Sequence, residues 1–366
     1  MAREAELIGA PDIPAVELTR EKKRGRSSEL NVRSLLITSF AVIALAAFLS
    51  PMLRTVTTAV KSQVQITQIG APLWPAEQGT FEYEGRDYDV YRVPIDGQTR
   101  DLALVTKGRQ ESQFVDPANP DAGLITWPGS WRALERAWEF SPRLSNFAEV
   151  WELINYPRLL FNTIALAAIS GLGTIISCTL VAYGFARFRF PGRSFLFLLL
   201  LSTIFLPTAV TLIPTFTIFV SLGWVGTWLP LLVPAFFANA YDVFLLRQYF
   251  LTIPRELDDA AKIDGAGPFR ILTSVILPQS WPVIIAVAIF HLVYSWNLYF
   301  EPLIYLSTAP ELQPIAVGLS AFNGLYSSEP QLIQTATLMT LVIPMIVFFF
   351  AQRAFIRGIV ITGVEK

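Results

Sequence analysis

Cysteine and histidine are almost absent from this 366-residue chain, each occurring once, as Cys178 and His291. A single cysteine excludes an intrachain disulfide, and one histidine far from it in sequence makes no metal-ligand cluster. Both lie in apolar stretches, where a packing role is expected of each. Charge is also scarce: Asp, Glu, Lys and Arg make up 16% of residues against 53% hydrophobic, and mean hydropathy is +0.47. That balance is too apolar for a soluble protein of ordinary composition, so a membrane class is the first reading. No G-x-x-x-x-G-K-[ST] stretch occurs, so the chain has no phosphate loop with which to use ATP by itself. No nucleophile and base stand together, which argues against a membrane enzyme or sensor, and no nucleic-acid partner is expected.

What the chain has in quantity is long apolar runs. A bilayer core of ~30 Å needs ~20 mostly apolar residues in helix. Six windows qualify, from Leu35 to Leu53, Leu159 to Phe185, Phe195 to Leu222, Trp228 to Phe250, Trp281 to Leu306 and Leu332 to Phe350. The fourth carries Pro230, Pro234, Asn239 and Asp242, which suggest a broken or internally packed helix. Lys and Arg crowd the N-terminus (Arg20, Lys22, Lys23, Arg24, Arg26) and two connections, with Arg187, Arg189 and Arg193 in one and Arg255, Lys262 and Arg270 in the other. The tail adds Arg353, Arg357 and Lys366. The turn at Gly223 and the loop from Ser307 to Gln331 have none. The positive-inside rule therefore predicts both termini in the cytoplasm. The first run has a long basic leader and no small-x-small site after it, and reads as an uncleaved anchor.

The predicted organisation is a cytoplasmic segment 1–33, a first span 34–53, an outside domain 54–158, a core 159–354 with a cytoplasmic loop 251–279, and a tail 355–366. In the outside domain, Phe81, Tyr83, Tyr88, Val90, Tyr91 and Val93 alternate on either side of Glu84-Gly85-Arg86, a hairpin pattern, and Leu102 to Thr106 offers a further strand. Trp131 to Phe140 has helical spacing, and Ser145 is placed to cap a short helix through Trp151.

The loop between the fourth and fifth spans reads Ile253-Pro254-Arg255-Glu256-Leu257-Asp258-Asp259-Ala260-Ala261-Lys262-Ile263-Asp264-Gly265-Ala266-Gly267-Pro268. Two short helices are predicted, each opened by a proline, with Gly265 and Gly267 freeing the backbone between them. Glu256 and the aspartates favour the first helix's N-terminal end. Ile271, Leu272, Val275 and Ile276 make an apolar face on the second. Such a pair suits a partner's groove.

Asp259-Ala260-Ala261, then Asp264-Gly265-Ala266, then Pro278 before the next span, resembles the EAA loop of ABC-importer permeases, with Asp259 where the family usually has Glu. From about Ser145 to Lys366 the chain is similar to the MalG-like carbohydrate branch. Asn162-Thr163, Ser295-Trp296-Asn297, Pro302-Leu303, the run Pro314 to Leu319 and the run Ala351 to Gly358 carry that likeness.

The resemblance implies an all-α polytopic fold with six transmembrane helices, the type I importer permease fold, here with a β-rich insertion. It implies a non-catalytic subunit that binds no cofactor itself, with ATP and Mg in a partner ATPase dimer. It further implies a second, MalF-like permease, an extracytoplasmic solute-binding protein and a sugar or oligosaccharide cargo, an α-glucoside being one candidate. Coupling to the ATPase falls to Glu256, Asp258, Asp259, Ala260, Ala261, Asp264, Gly265 and Ala266.

Trp296, Asn297, Tyr299 and Glu301 are the candidate substrate pathway, since aromatic rings stack on sugars and polar groups bond hydroxyls. Asp242 is expected to pair with Arg247. A proton-coupled transporter using Asp242, His291 and Glu301 as a relay is the alternative, and a permease for a non-carbohydrate solute is another.

Overall fold

The computed structural model describes residues 32–95 and 97–360. The basic N-terminal leader and the end of the tail, both used above to orient the chain, lie outside the described residues. The chain divides into two compact units after Pro51. The first contributes the start of a helix, Val32–Ala59. Its apolar side chains are exposed, Phe40 at 75% and Phe48 at 82%, as fits a helix whose surroundings are hydrocarbon.

The second unit opens with a strand-rich segment. Its strands are β1 (Ala76–Gln78), β2 (Thr80–Tyr83), β3 (Arg86–Ile95), β4 (Gln98–Thr106), β5 (Glu111–Val115), β6 (Ile125–Pro128), β7 (Glu135–Arg136) and β8 (Trp138–Phe140). An antiparallel sheet runs β2-β3-β4-β5-β6, with β7 also on β3, while β1 and β8 pair separately. The predicted hairpin turns at Glu84 and Gly85, both at positive φ (50° and 75°), the geometry of a tight two-residue turn. Tyr91, Val93, Leu102, Leu104 and Phe114 form the core on one face, and Val90, Ala103, Val115 and Ala137 on the other.

The helix expected over Trp131 to Phe140 shrinks to a single 3-10 turn, Trp131–Ala133, and most of the rest is strand. Trp138 pairs with Gln78 and Arg136 with Tyr91, so sheet partners claim the backbone that an isolated helix would have used. Nor does Ser145 cap. The helix Ser145–Leu153 starts on it, and its hydroxyl instead accepts from Arg143 Nε at 3.3 Å. Buried Asn146 ties this helix to the end of the first long one, donating to the carbonyls of Ala59 (2.8 Å) and Lys61 (3.0 Å); Thr335 also donates to Ala59 (2.8 Å). These bonds satisfy carbonyls that a helix C-terminus leaves open.

Among the described residues, four helices are long and apolar enough to cross a membrane: Ser34–Ala59, Tyr156–Arg187, Leu229–Thr252 and Pro330–Phe350. The number rises to six if two bent pairs, Arg193–Phe205 with Val210–Ser221 and Pro268–Gln279 with Trp281–Trp296, each count as one span. The run with Pro230 and Pro234 is broken as its sequence suggests, into Leu229–Leu232, a 3-10 turn Val233–Phe236 and Ala240–Thr252. The loop Ser307 to Gln331 holds a helix the sequence reading omitted, Ile315–Leu325. Cys178 is fully buried between Tyr156–Arg187 and Ala240–Thr252, the packing role expected of it.

Candidate functional site

At one end of the helix Tyr156–Arg187, some 48 Å in length at ~1.5 Å per residue, lies the segment that resembles a coupling loop. Pro254 stands at its head and the helix Arg255–Ile263 follows, with Glu256 and Asp258 in the first turn and Lys262 in the last, complementing the helix dipole. The chain then reverses at Gly265, whose φ is +79°. Ala266 N donates to Ala261 O (2.9 Å) and Gly265 N to Lys262 O (3.0 Å), the paired bonds of a Schellman ending. Gly267 keeps an ordinary φ of −74°, so only one of the two glycines uses the left-handed region. Pro268 then opens a second helical arm that runs through a π-turn, Leu272–Ile276, to Gln279.

One face of this segment is claimed by its own chain. Ile271, Leu272 and Ile276 are buried against Ala182, Tyr183 and Ala186 of one long helix and Val243, Leu246 and Phe250 of another. Three polar ties add to this: Tyr183 Oη donates to Pro268 O (3.0 Å), Arg187 Nη2 donates to Ile253 O (3.0 Å), and Arg187 Nε lies 3.0 Å from Asp258 Oδ2. The Arg187 and Asp258 side chains are only 5% and 9% exposed. Their contact is electrostatic rather than a well-aligned hydrogen bond, since neither Arg187 Nε nor Asp258 Oδ1 has a hydrogen-bond partner among the described residues.

The other face is open. Glu256, Asp259, Ala260, Asp264 and Gly265 are exposed, and so are Ile263 (88%) and Phe269 (71%). Asp259 Oδ1 accepts from Lys262 Nζ at 2.8 Å, and that bond and charge hold the carboxyl below the usual aspartate range. The eight predicted coupling residues thus divide. Asp258 turns inward, contrary to a partner-facing reading, because its place in the helix lies on the face that meets Arg187. Ala261 and Ala266 are half-buried against the apolar core. The coupling set expected from the sequence leaves out Ile263, Phe269, Tyr183 and Arg187, although helical spacing around Asp258 sets Ile263 off the buried face.

A cavity of about 660 Å³ opens among the long helices farther from this segment. Glu301 lines it, but Trp296, Asn297 and Tyr299 do not. Trp296 is buried with Val150, Tyr156 and Ile315, Asn297 Nδ2 donates to Val293 O of its own helix (2.8 Å), and Tyr299 Oη bonds Ser320 Oγ (3.1 Å). The helix ends at Trp296, so the residues after it do not continue the face that the spacing implies.

The cavity wall is supplied instead by Ser170, Asn239, Tyr241, Asp242, His291 and Tyr294, among others. His291 Nε2 sits between Ser170 Oγ (2.8 Å) and Ser295 Oγ (3.1 Å). Asp242 does not pair with Arg247. Five positions along a helix are about 140° apart around its axis, so the two side chains leave in different directions. Asp242 Oδ2 accepts from Asn239 Nδ2 (2.7 Å), while Asn239 Oδ1 accepts from Asp242 N (2.9 Å), a reciprocal cap at the start of Ala240–Thr252. Arg247 lies 4.2 Å from the Phe197 ring centre and donates to Phe185 O (3.3 Å).

Residues 160–361, which carry both the segment and the cavity, match the family described as binding-protein-dependent transport system inner membrane component. The chain belongs to this family. An osmoprotective compounds uptake permease protein, GgtD, of Synechocystis is 30% identical over 279 residues, covering 75% of this chain and 93% of that one. The sn-glycerol-3-phosphate transport system permease protein UgpE of Brucella melitensis is 35% identical over 211 residues, 57% of this chain and 74% of that one. In fold, the chain is similar to a bacterial ABC transporter involved in the import of the acidic polysaccharide alginate, with a TM-score of 0.63 at 19% identity, covering 90% of this chain and 98% of that one.

That coverage leaves too few residues unmatched to omit the whole strand-bearing stretch 76–140, so at least part of it belongs to the shared fold. This chain is therefore a permease subunit of a binding-protein-dependent ABC importer, with the type I permease fold and the MalG-like likeness seen in its sequence. Asp242, His291 and Glu301 do meet around one cavity, as a proton relay would require. Family membership assigns the energy supply to a separate ATPase and removes the reason for such a relay.

Proposed function

We propose that this subunit forms half of a transmembrane pathway for a sugar or oligosaccharide and converts ATP hydrolysis in a partner ATPase dimer into alternating access. Its closest working partners would be a second, MalF-like permease and an extracytoplasmic binding protein. The observation that carries the reading is the two-sided segment Arg255–Gln279. One face is fastened to two membrane helices, and the other offers Glu256, Asp259, Ala260, Asp264, Ile263 and Phe269 to a partner. A segment so fastened moves with the helices it grips, so a push on the open face is passed into the bundle. Counting each bent pair as one span brings the apolar crossings among the described residues to six. The charge pattern supports a cytoplasmic position for the segment, where ATP and Mg would be held by the partner and not by this chain.

Cysteine placed at Ile263 or Phe269 tests this in the co-expressed importer. Each is expected to cross-link to the ATPase subunit, and the crosslink is expected to change in yield between nucleotide-free and ATP-trapped states. Cysteine at exposed Leu251, on the preceding helix, is expected not to cross-link. Absence of any crosslink from 263 and 269 in a complex that still hydrolyses ATP would refute the docking.

A further inference from the structure

The cavity carries acid without base. Asp242 and Glu301 both line it, neither forms an ion pair among the described residues, and no Lys or Arg is found in its described lining. Its one basic heterocycle, His291, is already engaged by two serine hydroxyls. The rest of the wall mixes aliphatic residues such as Leu212, Leu231 and Leu298 with Ser and Thr hydroxyls and aromatic rings, and Tyr241, Tyr294 and Tyr305 are among the rings that line the space. We propose that this cavity passes neutral, polyhydroxylated solutes of short-oligosaccharide size and rejects solutes that bear phosphate or carboxylate groups. The proposal rests on the pathway reading above and narrows it, even though some relatives are named for an anionic solute.

The physical case has three parts. An anion entering a partly enclosed, low-dielectric space loses hydration and meets two carboxylates with no neighbouring cation to offset them. A neutral sugar gains instead, because its hydroxyls can donate to Glu301 and Asp242 and its apolar faces can stack on the tyrosine rings. A cation would be attracted, but two carboxylates would hold it against release, and a conduit must bind weakly enough to let its cargo leave. The volume suits one drug-sized solute, within the ~300–1,000 Å³ of ordinary ligand cavities. Asp242 has a second duty as a helix cap, so Glu301 is the residue on which the recognition can be tested separately.

The test uses the whole importer, purified with its ATPase, sister permease and binding protein. Solute released from the binding protein by heat is identified by mass spectrometry, and its uptake is then followed in proteoliposomes. A neutral di- or trisaccharide is expected. A phosphorylated or uronic sugar overturns this proposal while leaving the sugar-importer reading in place; an amino acid, peptide or amine overturns both. With the released solute as probe, Glu301→Gln is expected to lower uptake about tenfold, the scale of exchanging a charge-assisted hydrogen bond for a neutral one, while ATPase activity stimulated by the binding protein is retained. Unchanged uptake by Glu301→Gln would overturn the role of the cavity acid.

Discussion

The two ends of the bundle treat their carboxylates in opposite ways. At the segment end, Asp258 is buried and meets Arg187 at 3.0 Å, within a group of contacts that fixes two short helices to two long ones. In the cavity, Glu301 and Asp242 stand on the wall, Asp242 as buried as Asp258 and bonded to Asn239, and neither has a Lys or Arg partner among the described residues. A paired buried charge specifies position, since its partner must be in one place. An unpaired carboxylate on a cavity wall keeps acceptor capacity for whatever enters. The first arrangement suits transmission of force and the second suits recognition, and each can be broken separately.

The largest effect is expected from removing one partner of the buried pair. Asp258→Asn leaves the Arg187 guanidinium without its countercharge, a change that typically costs about 3–5 kcal/mol in a buried setting. The thermal midpoint of the solubilised importer should fall clearly, and stimulated ATPase activity should fall with it. Replacing both residues together, Arg187→Met with Asp258→Leu, should recover much of the stability, because an apolar pair of similar bulk avoids the desolvation of two ions. If transport recovers along with stability, the pair is only packing; if stability recovers and coupling does not, the charges themselves position the segment. Glu301→Gln, at the other end, should leave the midpoint where it was.

How far the sequence foretold this contrast depends on what each end is made of. The segment was legible because its rules are local: proline at a helix start, one glycine at a reversal, acids in a first turn, and an apolar face at helical spacing. All of these are present, and the buried face of Ile271, Leu272 and Ile276 is the one the spacing implies. The direction of Asp258 was not legible, because it is set by Arg187, which lies 71 positions away in the chain.

The cavity was largely hidden for the same reason. Its wall is assembled from several helices, and where one of them stops, at Trp296, decides that Asn297 and Tyr299 face elsewhere. In the strand-rich segment, the hairpin at Glu84-Gly85 followed from its own turn residues. Trp131 to Phe140 could not, since partners at Gln78 and Tyr91 override its helical spacing.

A smaller effect is expected at the reversal, where the cost is conformational alone. Gly265 has a φ of +79°, and an added Cβ would meet nothing within 4 Å. Gly265→Ala therefore tests backbone strain without a clash, with about 1–2 kcal/mol expected for a side chain held in the left-handed region. Because the turn sits at the edge of the open face, stimulated ATPase activity should drop severalfold while the strand-rich segment and the cavity are untouched. Gly267→Ala is the matched control. Its φ is ordinary and its surroundings are equally empty, so it should be silent. Equal losses in the two variants would mean that the turn geometry is not what matters.

The smallest effect on stability is expected one residue from the largest. Asp259 is two-thirds exposed and bonded only to Lys262 three positions on, where solvent and salt screen the pair. Lys262 lowers the Asp259 pKa through the hydrogen bond and its charge. A carboxyl with a depressed folded-state value adds stability above the unfolded value, near ~3.9 for aspartate, and loses it as pH falls through the folded value. Any pH dependence from this pair is therefore confined to the acid side, and nothing should change between pH 6 and pH 8. Asp259→Asn should leave the thermal midpoint at neutral pH within error of the parent, yet weaken the nucleotide-dependent crosslink from Ile263→Cys if the open face meets a basic groove. A midpoint shift as large as that of Asp258→Asn would show that the two aspartates, adjacent in sequence, are not divided between an inner and an outer duty.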